Sequence, residues 1–168
     1  MSGRDPTAMQ DLVIPDEDTS AAVGTLVIVH GHLNHILVRT VKTLLDLDVK
    51  ENDLRMAKAP MGLVFDRVRK HAIEVLGDSS PACIELNTWL SECERVTDAR
   101  NWIVHGLWTR RADGTALLIR GDEWRRIPSA AEVASIAAEI VSLLRLINGS
   151  RLRGSIADEL KSRKLSLP

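Results

Sequence analysis

The 168-residue sequence predicts an all-α protein: a four- to five-helix up-and-down bundle with a small β-hairpin inserted before the last long helix. Apolar residues recur at helical spacing in four long segments, which predicts amphipathic helices that pack on one another. Short polar or glycine-containing stretches separate these segments. Between residues 107 and 120 the pattern changes to two β-prone runs around Asp113-Gly114, a dipeptide typical of hairpin turns.

The composition limits the class of protein. Hydrophobic residues make up 45% of the chain and charged residues 27%, which is typical of a globular domain. With no tyrosine and one phenylalanine, the core must be built from aliphatic side chains and four tryptophans. The formal net charge of -1 excludes a uniformly basic nucleic-acid binder, although it is compatible with a local basic patch.

The sequence also predicts a cytoplasmic protein that does not enter a membrane. The N-terminus lacks the basic and then apolar pattern of a signal peptide. The longest uninterrupted apolar run is too short to span a bilayer. Cys83 and Cys93 lie on one predicted helix and cannot form a disulfide within it, so we expect reduced thiols.

The first predicted helix follows an acidic segment, residues 1–18, that we expect to be a flexible arm. Thr19 or Ser20 is a suitable N-cap, and the helix should run to about Leu45. Gly24 and Gly31 lower its helix propensity and indicate close packing against another helix. Its apolar residues at helical spacing are Val23, Leu26, Val27, Leu33, Leu37, Val41 and Leu44.

Three further helices are predicted. One runs from Met61 to Leu76, and the next begins near Pro81, a residue favoured in a first turn, and continues to His105. The last opens at Pro128-Ser129 and closes at Asn148-Gly149. The helical domain is therefore predicted to span residues 19–150, followed by a basic C-terminal tail, residues 151–168.

The segment DARNWIVHG, residues 98–106, contains the most unusual residue of the chain. On a helical projection Arg100 falls near the middle of an apolar stripe, and Asn101 and His105 lie one turn apart on its shoulder. Burying an unpaired guanidinium costs several kcal/mol or more. Arg100 is therefore expected to face a carboxylate, a subunit interface or a bound anion.

The spacing of these three residues resembles the motif of the HEPN superfamily: an arginine, a polar residue, three variable residues and a histidine near the end of a long helix. The order of the helices also fits, so the resemblance covers roughly residues 20–148. Many HEPN proteins are metal-independent ribonucleases of toxin and antiviral defence systems. Others keep the fold without cleavage and act as binding or regulatory modules, so the resemblance implies either function.

Cleavage of RNA without a metal requires a base for the ribose 2′-hydroxyl, an acid for the leaving oxygen and positive charge on the phosphate. Histidine suits the first two roles and arginine the third, which assigns them to His105 and Arg100. Asn101 would orient His105 or donate to the same phosphate. One chain supplies a single motif histidine, and HEPN nucleases are similar in pairing two motifs, so we expect a homodimer and an inactive monomer.

A basic rim would support RNA binding. From Arg95 to Arg126 there are seven arginines against four acidic residues. Arg110, Arg111 and Trp108 on the predicted hairpin, together with Arg95, would follow the phosphates and stack a base. The alternative is that these arginines form an ordinary solvated face of the hairpin.

Three histidines lie close together in the sequence HGHLNH of the first helix. His30 should point away from His32 and His35, and a zinc site needs about four converging ligands. No metal and no cofactor are therefore expected. His30 lies on the apolar side of the helix and is interpreted as a buried histidine with a hydrogen-bond partner, or as a residue lining the cleft of the motif.

Two hypotheses on function stay open. The first is a metal-independent endoribonuclease of toxin or defence type that binds RNA and is held in check by an antitoxin or a regulatory protein. The second is a non-catalytic module in which the motif is a structural latch or an anion socket. As a latch, Arg100 would pair with Asp98 of a second copy, or with Asp66 or Glu74.

Overall fold

The computed structural model describes residues 9–47 and 59–165 and is mostly helical with a small antiparallel sheet, as predicted. The helices are α1 (Glu17–Leu45), α2 (Met61–Leu76), α3 (Pro81–His105), α4 (Ala130–Arg153) and α5 (Ser155–Leu165). The strands are β1 (Met9–Leu12), β2 (Leu107–Arg111), β3 (Ala116–Arg120) and β4 (Glu123–Arg126). The sheet has the order β1-β2-β3-β4, so it is larger than the two-stranded hairpin we expected.

Helix α1 begins earlier than predicted. Its N-cap is Asp16, whose side chain accepts a hydrogen bond from the Thr19 amide at 2.7 Å. Glu17 and Asp18 then form the first turn, where negative charge is favourable at the positive end of the helix dipole. The cap at Thr19 or Ser20 was therefore predicted one turn too late, because an acidic pair typical of a first turn was assigned to the arm.

The strand β1 corrects a second expectation, that residues 1–18 form a flexible arm. Residues 9–12 pair with β2 in antiparallel register, with Leu12 opposite Thr109. The Thr109 hydroxyl adds a hydrogen bond to the Asp11 carbonyl at 3.0 Å. The partner of this short strand lies about a hundred residues away, so nothing in the local pattern predicts it. Residues 1–8 of the expected arm lie outside the described residues.

The turn between β2 and β3 contains Asp113-Gly114, the dipeptide that the sequence predicted there. Gly114 adopts a φ of +88°, a conformation that favours glycine, and the Thr115 amide donates to the Asp113 carboxylate at 2.8 Å. β3 then pairs with β4, with Leu118 opposite Arg125. β4 lies beyond the predicted hairpin. It was not predicted because its EWRR sequence is exposed and lacks apolar alternation.

The C-terminal segment is not the frayed tail that we expected. Helix α4 passes through Asn148-Gly149 and ends at Gly154, after which α5 turns back onto the helices. Ile156 is fully buried, and its amide donates to the Ser150 hydroxyl at 3.2 Å. A single glycine inside a long apolar pattern lowers helix propensity by only about 1 kcal/mol, and packing outweighs that cost here. Residues 166–168 of the expected tail are not described.

The core lies between the helices. α1 packs mainly on α4 and α2, and the apolar positions predicted for the second helix are all buried: Val64, Phe65, Val68, Ala72 and Leu76. On α3 the buried apolar residues continue into the last two turns, beside the polar residues of the motif: Leu86, Leu90, Cys93, Val96, Trp102 and Ile103. Both cysteines are buried free thiols, and burial raises the pKa of Cys93 to about 12.

One face of α1 is open. An added Cβ at Gly24 or Gly31 would meet no described atom within 4 Å, so the close packing expected at these glycines is not made within the described chain. Val27 and Ile28 lie on the same side, and Ile28 is 62% exposed. In the described chain α1 is also the one helix whose length and mean hydropathy of 1.5 would suffice to cross a membrane, a test that core helices of soluble proteins also pass.

Adjacent residues of α4 test the position of the core. Ile147 is fully buried, whereas Leu146 is 49% exposed. We expect Ile147→Ala to lower the free energy of unfolding by about 2–5 kcal/mol, because it leaves a cavity. Leu146→Ala should cost less than about 1 kcal/mol. Urea unfolding of both variants measures the difference, and equal losses would contradict the orientation of α4.

Candidate functional site

Helix α3 carries the motif residues in its last two turns. Ser80 caps its start by accepting a hydrogen bond from the Cys83 amide at 3.1 Å, and Pro81 occupies the first turn. The helix ends at Gly106, whose amide donates to the Trp102 carbonyl at 3.0 Å. The strand β2 follows at once. Arg100, Asn101 and His105 therefore lie where the helix meets the sheet.

The three motif side chains converge. Arg100 Nη1 lies 3.1 Å from Asn101 Oδ1 and 2.9 Å from His105 Nε2. A guanidinium can only donate, so Nε2 must accept. The His105 tautomer that fits this contact carries its proton on Nδ1. The Nε2 lone pair of His105 is thus held by the one cation of the motif, and it becomes free only when Arg100 donates elsewhere.

Arg100 has no carboxylate partner among the described residues. Asp98 of the same chain instead faces Arg120 and Arg125, at 3.6 and 3.4 Å. Glu74 pairs with His71 at 2.8 Å. Arg100 Nε is buried without a hydrogen-bond partner in the described structure, and burial lowers the pKa of the guanidinium. A half-buried cation with a donor to spare is suited to bind an anion.

Asp66, the third acid considered as a partner of Arg100, acts elsewhere. The pKa of Arg69 is raised mainly by its hydrogen bond with Glu94 of α3 and to a smaller extent by the charge of Asp66. The pairing of Arg100 with an acid of its own chain is therefore not seen in the described residues. Pairing with Asp98 of a second copy stays a prediction.

His30 of α1 lies beside the motif. Its Nε2 is 3.1 Å from the Thr97 hydroxyl of α3, and the residue is 9% exposed, as expected for a buried histidine with a partner. Burial first, and the charge of Arg100 second, lower the pKa of His30 to about 4. Whether His30 also lines a cleft at the motif stays a prediction.

The other two histidines of HGHLNH face a different part of the molecule. His32 and His35 line a groove of about 430 Å³ between α1 and α4, together with Arg145. His30 thus points away from them, as predicted. In residues 9–47 and 59–165 no three histidine, cysteine or acidic side chains are grouped so that they could hold a metal ion.

The residues predicted as an RNA-binding rim have other contacts. Arg95 forms ion pairs with Glu92 at 2.9 Å and with Glu139 of α4. Trp108 Nε1 donates to the Ile103 carbonyl at 2.9 Å, so this ring packs against the helices.

The two arginines of β2 take part in the sheet. Arg110 Nη1 donates to the Gly114 carbonyl at 2.8 Å, and Arg111 lies over the Trp124 ring at 4.5 Å from its centroid. Arg110 is exposed. Of the four rim residues, Arg95 and Trp108 also have structural contacts that the sequence pattern did not indicate, and binding of RNA by all four stays a prediction.

A different basic pair lies next to the motif. Arg125 stacks on the Trp102 ring at 4.2 Å from its centroid, and Arg120 approaches Asp98. With Glu123 these residues surround a pocket of about 340 Å³. Sequence reasoning missed this pocket. The alternation of Arg120 with buried Leu118 on β3 is a signal that would have placed Arg120 on the face that packs against α3.

The chemistry open to the site follows from its own side chains. No family model, curated protein or solved structure matches this chain. Arg100 offers a planar cation, His105 a group that can accept or give a proton near neutral pH, and Asn101 an amide that orients them. This combination is suited to a phosphodiester with a nearby hydroxyl. A single chain supplies one motif imidazole for the two proton transfers that such a reaction needs.

His30 gives a pH dependence with a defined sign. Its pKa is about 4 in the folded chain and about 6.5 in an unfolded one, so the unfolded state takes up a proton first. The stability due to neutral His30 is complete above pH 6.5 and is lost as the pH falls towards 4. His30→Gln keeps a donor for Thr97 but does not titrate. Between pH 7 and pH 4.5 its free energy of unfolding should therefore fall by about 2–3 kcal/mol less than that of the wild type.

Urea unfolding of wild type and His30→Gln at pH 7 and pH 4.5 measures this difference. Because all other titrating groups are shared, they cancel in the comparison. A variant whose stability falls with pH as steeply as that of the wild type would show that His30 is not held neutral by the fold.

Proposed function

We propose that this chain is a HEPN-like, metal-independent endoribonuclease of toxin or defence type, built on an up-and-down helical bundle. The observation that carries the proposal is the contact of Arg100 with Asn101 and His105, combined with the lack of any carboxylate partner for Arg100 among the described residues. A partly buried cation beside a neutral imidazole is what attack by a 2′-hydroxyl requires.

The proposed reaction begins when an RNA phosphate binds Arg100. The guanidinium moves its donor from His105 Nε2 to a phosphate oxygen, which frees the imidazole lone pair. His105 then takes the proton of the 2′-hydroxyl, the 2′-oxygen bonds to phosphorus, and the bond from phosphorus to the 5′-oxygen breaks. The protonated His105 of a second copy gives a proton to the leaving oxygen, and the products are a 2′,3′-cyclic phosphate and a 5′-hydroxyl. DNA lacks the nucleophile and would not be cut.

The second imidazole would come from a second copy of the chain. α1 runs antiparallel to α3, since Val13 donates to the Trp108 carbonyl near its start and His30 meets Thr97 further along. The open face of α1, with Gly24, Ile28 and Gly31, lies on the side of this helix that is turned away from His30 and α3. We propose that this apolar face contributes to a homodimer interface. The paired-motif scheme requires in addition that the exposed His105 side chains of the two copies meet at one cleft.

A regulatory setting belongs to the same proposal. The protein would act in the cytoplasm, and an antitoxin or another regulatory protein would bind it to hold the nuclease inactive. A chain that cuts RNA freely would harm its own cell, so a partner that covers the cleft is expected.

The second candidate function is a non-catalytic HEPN-like module. The observation that favours it is the hydrogen bond between Arg100 and His105, which satisfies the motif internally and leaves Nε2 without a free lone pair. In that case the three residues would latch the end of α3 or hold an anion without cleaving it. Cleavage assays separate the two functions.

The nuclease is tested with a structured RNA pool in the presence of EDTA. We expect cleavage by the wild type, and a loss of roughly 100-fold or more in His105→Ala and Arg100→Gln, because each removes a group needed in the transition state. His35→Ala is the matched control, since His35 lies on the α1–α4 groove, and it should retain activity.

All variants are checked for folding by circular dichroism. Wild type that leaves the RNA intact, while Arg100→Gln melts at a much lower temperature, would favour the latch. Equal activity of folded His105→Ala and wild type would rule out the assigned base.

The dimer is tested by sedimentation of Ile28→Glu. A charge on this exposed side chain should not disturb the core of one chain but should prevent apolar packing between two. We expect a monomer that has lost cleavage. Ile84→Glu is the matched control, because Ile84 is similarly exposed at the opposite end of α3. A monomeric wild type that still cleaves would contradict the paired-motif scheme.

A further inference from the structure

The pocket between α3 and the β3–β4 hairpin contains two arginines outside the motif. We propose that Arg120 and Arg125 form a binding subsite for an RNA backbone phosphate next to the scissile one, and that Asp98 competes with that phosphate. The inference rests on the proposed nuclease function. It names residues that the HEPN motif does not include.

The subsite adjoins the motif along one helix face. Asp98, Asn101 and His105 are three and four residues apart in sequence, so they share one side of α3. Trp102 lies one turn after Asp98 and packs under Arg125. Arg100 reaches the same side, since its Nη1 contacts both Asn101 and His105. An RNA strand whose scissile phosphate is bound at Arg100 would thus have its next phosphate within reach of the hairpin.

The hairpin holds Arg120 and Arg125 in place. Leu118 pairs with Arg125 and Arg120 with Glu123, so the three residues Leu118, Arg120 and Arg125 project from one face of the sheet. Leu118 is buried and lies close to Gly106 at the end of α3. The stacking of Arg125 on the indole of Trp102 reduces the freedom of its side chain, so less conformational entropy is lost when it binds a phosphate.

Asp98 is a weak partner for both arginines. Its oxygens lie 3.6 Å from Arg120 Nη1 and 3.4 Å from Arg125 Nη2, longer than the 2.7–2.9 Å typical of strong charge-assisted hydrogen bonds. Both guanidinium groups are about half exposed. Asp98 lies between the two cations and occupies the place that a phosphate would take, and its loose contacts allow exchange. The second carboxylate of the pocket, Glu123, lies opposite Arg120 on β4.

The next residue of β4 provides an internal comparison. Arg126 projects to the other face and forms a two-pronged ion pair with Glu132, the residue that also completes the capping box of α4. Arg126 is therefore held by its own acid. The contrast between Arg125 and Arg126 distinguishes a phosphate subsite from general positive charge on the strand.

The test measures binding of a single-stranded RNA with 2′-O-methyl groups throughout, which cannot be cleaved by 2′-attack. We expect Arg120→Gln and Arg125→Gln each to weaken binding roughly tenfold at about 0.1 M salt and to reduce the salt slope by about one. Arg126→Gln should stay within about twofold of the wild type. Arg120 does not stack on Trp102, so its variant remains informative if Arg125→Gln is poorly folded.

Asp98→Asn should change the affinity for this RNA in the opposite direction. Removing the competing carboxylate should tighten binding, by roughly threefold, since two cations become available to the RNA. Asp122→Asn is the matched control: it removes the same charge from the exposed β3–β4 turn and should change affinity less. Asp98→Asn that binds no tighter than Asp122→Asn would refute the competition.

Separate readouts keep the two proposals apart. Cleavage of unmodified RNA by wild type, with equal binding by wild type, Arg120→Gln and Arg125→Gln, would overturn the subsite and leave the nuclease standing. Selective weakening in Arg120→Gln and Arg125→Gln, without cleavage by any variant, would support the subsite and count against the nuclease. Equal weakening by Arg126→Gln, or no binding by the wild type, would also overturn the subsite.

Discussion

The site depends on the position of one guanidinium, that of Arg100 at the end of α3. Its Nε is buried, its Nη1 contacts two side chains of its own helix, and no described carboxylate neutralises it. An unpaired and partly buried cation costs free energy, which a bound anion would recover. The charge of Arg100 also adds to the effect of burial in lowering the pKa of His30 on α1.

The bounds of α2 and α3 and the start of α4 followed from the sequence because their signals are local. Pro81, the Ser129 capping box and the apolar spacing of α2 mark starts and inner faces within a few residues. The β1 strand and α5 did not follow, since each is stabilised by partners far along the chain. β1 pairs with β2, and α5 packs through Ile156 onto helices that precede it in the sequence. Tertiary contacts of this kind leave little trace in a short window of sequence.

The three motif residues of the candidate site were predictable because their signal is also local. Arg100, Asn101 and His105 lie within one helix, so their spacing alone brings them together. The arginines around them were harder to assign. Arg95 and Trp108 have structural partners, whereas Arg120 and Arg125 reach the motif only because the sheet packs on α3 through Leu118 and Trp102. Which arginines border the motif is thus decided by the sheet.

The most direct test of the account is the state of the His105 imidazole, read by two-bond ¹H–¹⁵N nuclear magnetic resonance. We expect a neutral ring with its proton on Nδ1 in the free protein. A non-cleavable 2′-O-methyl dinucleotide should change the Nε2 resonance as Arg100 moves to the phosphate, and Arg100→Gln should abolish that change. A proton on Nε2 in the free protein, or an Nε2 resonance that the dinucleotide leaves unchanged in the wild type, would contradict the central role given to the contact between Arg100 and His105.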